Sequence, residues 1–357
     1  MLKLRVDYIK PGMKLARNVY DAEGQILLSA GLPFKKNYAQ KLKNSGIQEI
    51  YVIAEDGICC DNAQHTINEI SRVEAKKLVA STMGKVVLEK DIEIQRVFAM
   101  VENLLDELLS QKDILLNLTE IRTVDEYTFA HSVNVCILSL ITGIAMGYSR
   151  DQLKTLGSGA LLHDIGKILV PLEILNKPAP LTDEEYVIMK KHTQLGYEVL
   201  KKYPQIDEDI AIIALTHHER YDGKGYPIGL KAEKLHQYAK IVAISDVYDA
   251  MTSDRVYKEK LKPHQAIEYL IAMGNHQFDY EIVKVFTQHV ASYPIGTIVL
   301  LSNGYRGAVL RIDKNFPHRP TVGYLYNTKG EKVASDQEVS LADYPTLTIV
   351  DVLENIE

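Results

Sequence analysis

Two segments of this chain carry side chains of the kinds that hold metal ions and act on phosphate esters. One is HHERYDGKGYP, His217 to Pro227, in which adjacent histidines are followed by an acid and a glycine-rich turn. The other is HDIGK, His163 to Lys167, where an imidazole and a carboxylate are neighbours. Five of the eleven histidines stand at 131, 163, 192, 217 and 218, and the carboxylates of Asp164 and Asp246 fall in the same stretch. Mixed nitrogen and oxygen donors suit Fe, Mn, Zn, Co or Ni better than Mg or Ca, which favour all-oxygen cages. The donors suffice for two ions: His131, His163 and Asp246 on one, His192, His217 and His218 on the other, with the two oxygens of Asp164 bridging them. Two adjacent ions polarise a phosphoryl oxygen and acidify water for in-line attack, so these residues imply a metal-dependent phosphohydrolase. Lys167, at i+4 from His163 on the same helix face, would offset charge on the phosphate. The remaining histidines, at 65, 236, 264, 276, 289 and 318, have no motif around them and read as surface or packing residues.

These donors need a helical scaffold, and the pattern from about Thr119 to Ser292 supplies one. It reads as consecutive helices with short connections. Ser149 with Gln152, and Thr182 with Glu185, have capping-box spacing. Pro171, Pro178 and Pro180 break the pattern, so Pro171 to Leu181 is expected to be a loop over the site. Upstream, residues 61–118 read as a polar helical connector. Within it Ile94, Val97, Val101, Leu104 and Leu108 recur in steps of three and four, as an amphipathic core helix or, alternatively, a short dimerising coiled coil. Residues 1–60 show strand-like alternation punctuated by turns, with Gln25 to Leu28 and Glu49 to Ile53 as strands and Phe34 to Asn44 as a helix stopped by Ser45-Gly46. Residues 293–357 return to strand character at Thr297 to Leu301, Gly307 to Ile312, Thr321 to Leu325 and Thr348 to Leu353. The expected fold is multidomain and mainly α, a helical domain over 119–292 between a small β-rich N-terminal domain and a small β C-terminal domain.

Composition narrows the class. With 357 residues and 46% hydrophobic side chains, the chain can bury a sizeable core. A net charge of −6 argues against a nucleic-acid polymer as partner. The three cysteines, two of them adjacent at 59 and 60, offer no disulfide framework. The N-terminus MLKLRVDYIK lacks the apolar core of a signal peptide, and the apolar run Val133 to Met146 is too short to span a bilayer. A cytoplasmic protein without a membrane contact is the expectation.

The motifs, taken in order, resemble the HD-GYP family of cyclic di-GMP phosphodiesterases within the HD superfamily. The resemblance covers DEYTFAHS (Asp125 to Ser132), LLHDIGK (Leu161 to Lys167), KPAPLTDEE (Lys177 to Glu185), MKKHTQLG (Met189 to Gly196), HHERYDGKGYP, and ISDVYDAMTSDRVYK (Ile244 to Lys258). It implies an all-helical HD-type domain in which His131, His163, Asp164, His192, His217, His218 and Asp246 hold two divalent transition-metal ions, Fe or Mn foremost. It also implies that Asp164 and Lys167 serve catalysis, and that Arg255, Lys258, Lys177 and Tyr226 meet the substrate. Arg255 and Lys258, three apart after Asp246, would share a helix face. Some members place a glutamate four residues before the first histidine and hold a third metal; here Tyr127 stands there, so two ions are expected.

The implied reaction is hydrolysis of cyclic di-GMP to pGpG and/or GMP by a binuclear metal-activated hydroxide. Cyclic GMP-AMP or another nucleotide phosphoester, and a sensor that binds without turnover, are the alternatives. A diguanylate cyclase (GGDEF) or other signalling protein is the partner class the resemblance suggests, with a homodimer also open.

Overall fold

The computed structural model describes residues 1–21, 25–53, 67–88, 92–111, 127–253, 260–334 and 337–355. Its N-terminal part comprises β1 (Leu2–Arg5), β2 (Val19–Tyr20), β3 (Ile26–Leu28), α1 (Lys36–Asn44) and β4 (Glu49–Val52). β1 runs antiparallel to β4, with Leu2 opposite Val52 and Leu4 opposite Ile50, and β2 pairs with β3.

The helical block follows: α2 (Glu69–Leu88), α3 (Ile94–Leu109), α4 (Tyr127–Ala145), α5 (Arg150–Leu162), α6 (Leu172–Leu175), α7 (Asp183–Lys190), α8 (His192–Leu200), α9 (Glu208–Thr216), α10 (Gln237–Thr252), α11 (Pro263–Ala272) and α12 (Tyr280–Gln288). α4 is central. Val133, Val135, Cys136, Ile137, Leu138, Leu140 and Ile141 are all buried, so apolar residues surround it on every side, as expected of a helix inside a helical core. Among the described residues, no helix is long and apolar enough to cross a membrane.

The stripe on α3 packs into this same core: Ile94, Val97, Val101, Leu104, Leu105 and Leu108 are buried against the chain itself. The core-helix reading holds for that face, which is not left open as a dimer seam. Both expected capping boxes form, Ser149 with Gln152 opening α5 and Thr182 with Glu185 opening α7. Each such cap contributes about 1 kcal/mol.

The C-terminal part is a five-stranded antiparallel sheet in the order β8-β7-β6-β5-β9, formed by β5 (Ile298–Leu301), β6 (Arg306–Arg311), β7 (Thr321–Tyr326), β8 (Glu338–Ser340) and β9 (Ile349–Leu353). The two-residue period of a strand gives the sheet two buried faces. Val299, Leu301, Val309, Val322 and Val339 line one of them. Ile298, Ala308, Leu310 and Leu325 line the other, and there they share a core with Leu2, Leu4, Val6, Ile50 and Val52 of the N-terminal strands. The two β parts, separate in the sequence reading, therefore pack on each other.

Three local expectations need correction. HDIGK is not helical in the α sense: α5 stops at Leu162, and Ile165–Leu169 forms a 3-10 turn, so Lys167 does not share an α-helical face with His163. The stretch 171–181 is not wholly a loop, because Pro171, whose fixed φ suits a helix start, precedes the single turn α6. The short strand β8 had no sequence counterpart, since three residues are too few for alternation to register.

Candidate metal centre

Five helices deliver the seven candidate donors. α4 carries His131; His163 caps the C-terminus of α5 and Asp164 follows it; His192 opens α8; His217 caps α9, with His218 next; and α10 carries Asp246. Local sequence explains why the HDIGK turn meets α8 so closely. A side chain at Gly166 would put its Cβ 1.9 Å from the His192 carbonyl oxygen and 2.5 Å from the Gly196 amide, so only glycine admits this contact.

Backbone carbonyls fix three of the imidazoles. His163 Nδ1–H donates to the Ala160 carbonyl at 2.7 Å, His192 Nδ1–H to Met189 at 2.8 Å, and His217 Nδ1–H to Ala214 at 2.9 Å. Each pattern leaves Nε2 as a bare lone pair aimed inward, the tautomer that ligates metals. The Nε2 atoms of His192 and His217 lie 3.4 Å apart, two lone pairs facing one space. His163 Nε2 and Asp164 Oδ1 are buried without a hydrogen-bond partner. Such orphans cost about 1–3 kcal/mol each unless something satisfies them. A divalent cation would satisfy all of these atoms at once, so the residues fit the metal that the sequence implies.

The donors fall into two overlapping groups, Asp164 with His192, His217 and His218, and Asp164 with His131 and His163. Asp164 separates its two oxygens between them. Oδ1 lies 3.4 Å from His192 Nε2 and 3.8 Å from His217 Nε2, while Oδ2 lies 3.3 Å from His163 Nε2 and 3.9 Å from His131 Nε2. Asp246 reaches both groups, with Oδ1 3.0 Å from His131 Nε2 and Oδ2 3.6 Å from His218 Nδ1.

Electrostatics follow the same division. Burial pushes the His217 imidazole well below its ordinary range, and the neighbouring His218 and His163 push the same way. Burial also lowers His192, and it takes His218 down to about 3 although Asp246 opposes it. These rings stay neutral, as ligands must. Burial would raise the Asp164 carboxyl, yet the charges of Lys167 and His163 override it and hold Asp164 well below the usual carboxylate range. His131 is the exception: burial lowers it, but hydrogen bonds to Asp246 and Asp249 prevail and carry it up to about 9.

Asp249 is one of several residues the sequence reading missed. It is fully buried, 2.8 Å from His131 Nδ1, and accepts a hydrogen bond from Asn134 Nδ2 at 3.0 Å. Arg72, buried on α2, donates to Asn134 Oδ1 at 3.2 Å. A polar chain thus runs from α2 to a candidate ligand. Its only signals in the sequence are i+3 offsets, Asp246 to Asp249 and His131 to Asn134, which are too common to single out.

Glu219 is a further omission. Its buried carboxylate accepts from the amides of Ile228, Gly229 and Leu230 at 2.7 to 3.0 Å and so folds the GYP loop back on itself. Gly225 makes that fold feasible, since a Cβ there would lie 2.4 Å from both the Arg220 amide nitrogen and Glu219 Cα. The loop sets the Tyr226 ring 4.8 Å from that of His218. Beyond it, half-exposed Tyr186 lies edge-on to Tyr226 at 6.4 Å, and Lys190 Nζ sits over both tyrosine rings at 5.0 and 5.7 Å.

Among the other expected substrate contacts, Lys167 reaches Asp164 Oδ2 at 2.5 Å, and Lys177 is engaged with Glu185 Oε2 at 2.6 Å. Arg255 and Lys258, and the helix face expected to carry them, lie outside the described residues.

Comparison with known proteins gives family matches for two regions of the chain. Residues 107–282 match the model of the HD domain, and residues 298–357 that of the KOW domain associated with HD domain. This chain therefore carries a domain of the HD family over residues 107–282. More particularly, its helical block is of the HD-GYP type, which the motifs through HHERYDGKGYP had suggested.

A cyclic di-GMP phosphodiesterase of Pseudomonas aeruginosa, PA4108, is 34% identical over 267 residues, covering 75% of this chain and 64% of that protein. The 3'3'-cGAMP-specific phosphodiesterase 2 of Vibrio cholerae is 30% identical over 194 residues, covering 54% of this chain and 37% of that protein. The chain therefore spans less than two thirds of either relative's length. Among solved structures, the HDG"Y"P protein Bd1817 of Bdellovibrio bacteriovorus shares the fold, with a TM-score of 0.50 at 15% identity over 80% of this chain and 97% of that one.

Proposed function

We propose that this chain is a metal-dependent phosphodiesterase that hydrolyses cyclic di-GMP to pGpG and/or GMP. The observation that carries the reading is the Asp164 carboxylate, whose two oxygens face two separate histidine groups in a buried pocket. His131, His163 and Asp246 would hold one divalent ion and His192, His217 and His218 the other, with Asp164 common to both. Ions so bound would supply Lewis acidity toward a phosphoryl oxygen and acidify water.

The chain's own residues supply the rest of the chemistry. Burial keeps bulk water from the donors and strengthens every charge interaction inside the pocket. Lys167 is placed to shift its ammonium from Asp164 toward a phosphate oxygen. Tyr226 and Tyr186, with Lys190, present aromatic faces beside the pocket on which a nucleobase can stack, a contact worth about 1–3 kcal/mol per base. Lys177, Arg255 and Lys258 remain the candidates for phosphate contacts.

A second reading, hydrolysis of cyclic GMP-AMP, is supported by similarity to the Vibrio cholerae enzyme. One experiment separates the two. Chromatographic analysis of products from metal-loaded protein, given each cyclic dinucleotide at equal concentration, should show pGpG and/or GMP accumulating from cyclic di-GMP. Turnover of the mixed compound alone would overturn the first reading. Binding of both without products would leave a sensor.

A further inference from the structure

His163, His192 and His217 each take their orientation from a backbone carbonyl three residues upstream, and His131 takes its own from a side chain. Its Nδ1 lies 2.8 Å from Asp249 Oδ2, 118 residues away on α10. The other Asp249 oxygen accepts from Asn134 Nδ2 at 3.0 Å, and Asn134 Oδ1 accepts from Arg72 Nη1 at 3.2 Å. All four side chains are buried, Arg72 on α2, His131 and Asn134 on α4, and Asp249 on α10.

Donor and acceptor chemistry gives this series one direction. A guanidinium donates and never accepts, so Arg72 must meet the amide oxygen of Asn134, and the amide NH2 is thereby turned toward Asp249, whose carboxylate only accepts. Asp249 Oδ2 then receives the His131 Nδ1–H, and Nε2 is the nitrogen left for a metal. A cation bonded to the amide oxygen also polarises the amide and strengthens its N–H toward the carboxylate. Ser253 Oγ lies 3.2 Å from Asp249 Oδ2 but 2.5 Å from the Asp249 carbonyl, which takes its one proton. Without the Arg72 donor, a buried amide oxygen would lose this partner, and Asn134 could turn to seek another and release Asp249.

His131 falls in one of the two donor groups, with His163 and Asp164; His192 and His217, anchored by carbonyls, fall in the other. The helix that carries Arg72 lies ahead of residues 107–282, the region matched to the HD domain, and joins the helical core through Leu78, Val79 and Met83. We infer that Arg72 is a positioning residue through which α2 sets the affinity of the ion bound by His131, so that one of the two ions is held at full strength only while α2 is seated. This rests on the metal centre proposed above and not on which cyclic dinucleotide it hydrolyses.

The test is chelator competition on full-chain protein loaded with Mn2+, with bound metal read by elemental analysis and electron paramagnetic resonance separating coupled ion pairs from isolated ions. Wild type is compared with Arg72→Met, which keeps the length and loses the donor, and with Arg72→Lys, which keeps a donor. Wild type should hold two ions. Arg72→Met should hold one of them about tenfold more weakly and the other as wild type does, so that isolated ions replace coupled pairs at a lower chelator concentration. Arg72→Lys should recover most of the loss. Wild-type affinity for both ions in Arg72→Met overturns the inference and leaves the metal centre standing. So does an equal weakening of both ions, the mark of a general loosening of the fold, and so does Arg72→Lys behaving as Arg72→Met. Fewer than two ions in wild type overturns the binuclear reading and this inference with it. If Arg72→Met does not fold, Asn134→Asp, which keeps the shape and removes the Nδ2 donor, should weaken the same single ion, and two ions held as in wild type would overturn the inference.

Discussion

The metal pocket and the junction of the two β parts with the helical block, where Lys3 and Lys260 meet Glu49 and Arg5 meets Glu354, are both polar, but they are built differently. In the pocket, three imidazoles are oriented by backbone carbonyls three residues upstream, and the inward His163 Nε2 and Asp164 Oδ1 are left without hydrogen-bond partners. At the junction, long side chains pair with one another across segments far apart in sequence, partly in contact with solvent. Backbone anchoring gives a geometry that salt cannot screen, and side-chain pairing gives one that can yield.

The sharpest way to break that contrast is Asp164→Ala. Removing the shared carboxylate should cut turnover by at least roughly a thousandfold and lower the metal content, measured by elemental analysis of the same sample. The junction should be untouched, so a change in the pH-dependent stability supplied by Glu49 would mean that the two regions are not separate.

Asp249→Ala probes whether orientation of His131 matters. With its Nδ1 partner gone, metal affinity should fall by roughly 10- to 100-fold while the fold persists, as read by metal titration and circular dichroism. Unchanged affinity would show that α4 alone aims the ring.

Glu219→Ala strands the amides of Ile228, Gly229 and Leu230. A stability loss of about 2–4 kcal/mol is expected in denaturant titration, and Glu219→Gln, which keeps an acceptor oxygen, should lose less. Equal stability in both variants and wild type would mean that the loop folds without this carboxylate.

The smallest effect belongs to the junction. Burial alone would raise the Glu49 carboxyl, and the charges of Lys3 and Lys260 instead bring it to about 2 from an ordinary 4.5. Because the folded value is the lower one, the stabilisation is fully present above about pH 4.5 and fades as pH falls toward 2. Wild type should exceed Glu49→Gln by about 2 kcal/mol at neutral pH after allowance for screening. That gap should close between pH 4.5 and 2 and narrow with added salt. A gap independent of both pH and salt would remove the side-chain pairing account.

The candidate donors were legible in the sequence because each sits in a motif of several unusual residues, as in LLHDIGK and HHERYDGKGYP. Asn134 and Arg72 were not, since each is a single polar residue in a helix; Asp249 lay inside ISDVYDAMTSDRVYK, but its contact with His131, like theirs with each other, depends on how α2, α4 and α10 pack. Glu219 lay inside a recognised motif, but an acid accepting successive amides looks in sequence like any surface acid. The helix register of HDIGK was misread because an α-helical offset was carried through a segment that tightens to a 3-10 turn. The shared β core escaped for a simpler reason: Leu4 and Leu310 alternate within their own strands, and alternation says nothing about which distant sheet lies opposite.

The scattering of the donors over α4, α5, α8, α9 and α10 ties cofactor loading to folding itself. Whatever free energy the ions would release on binding is shared among five helices, so occupancy would act as a rivet through the bundle. Cells starved of the right metal would then hold a softer protein as well as an idle one, and its survival against proteases would track metal supply.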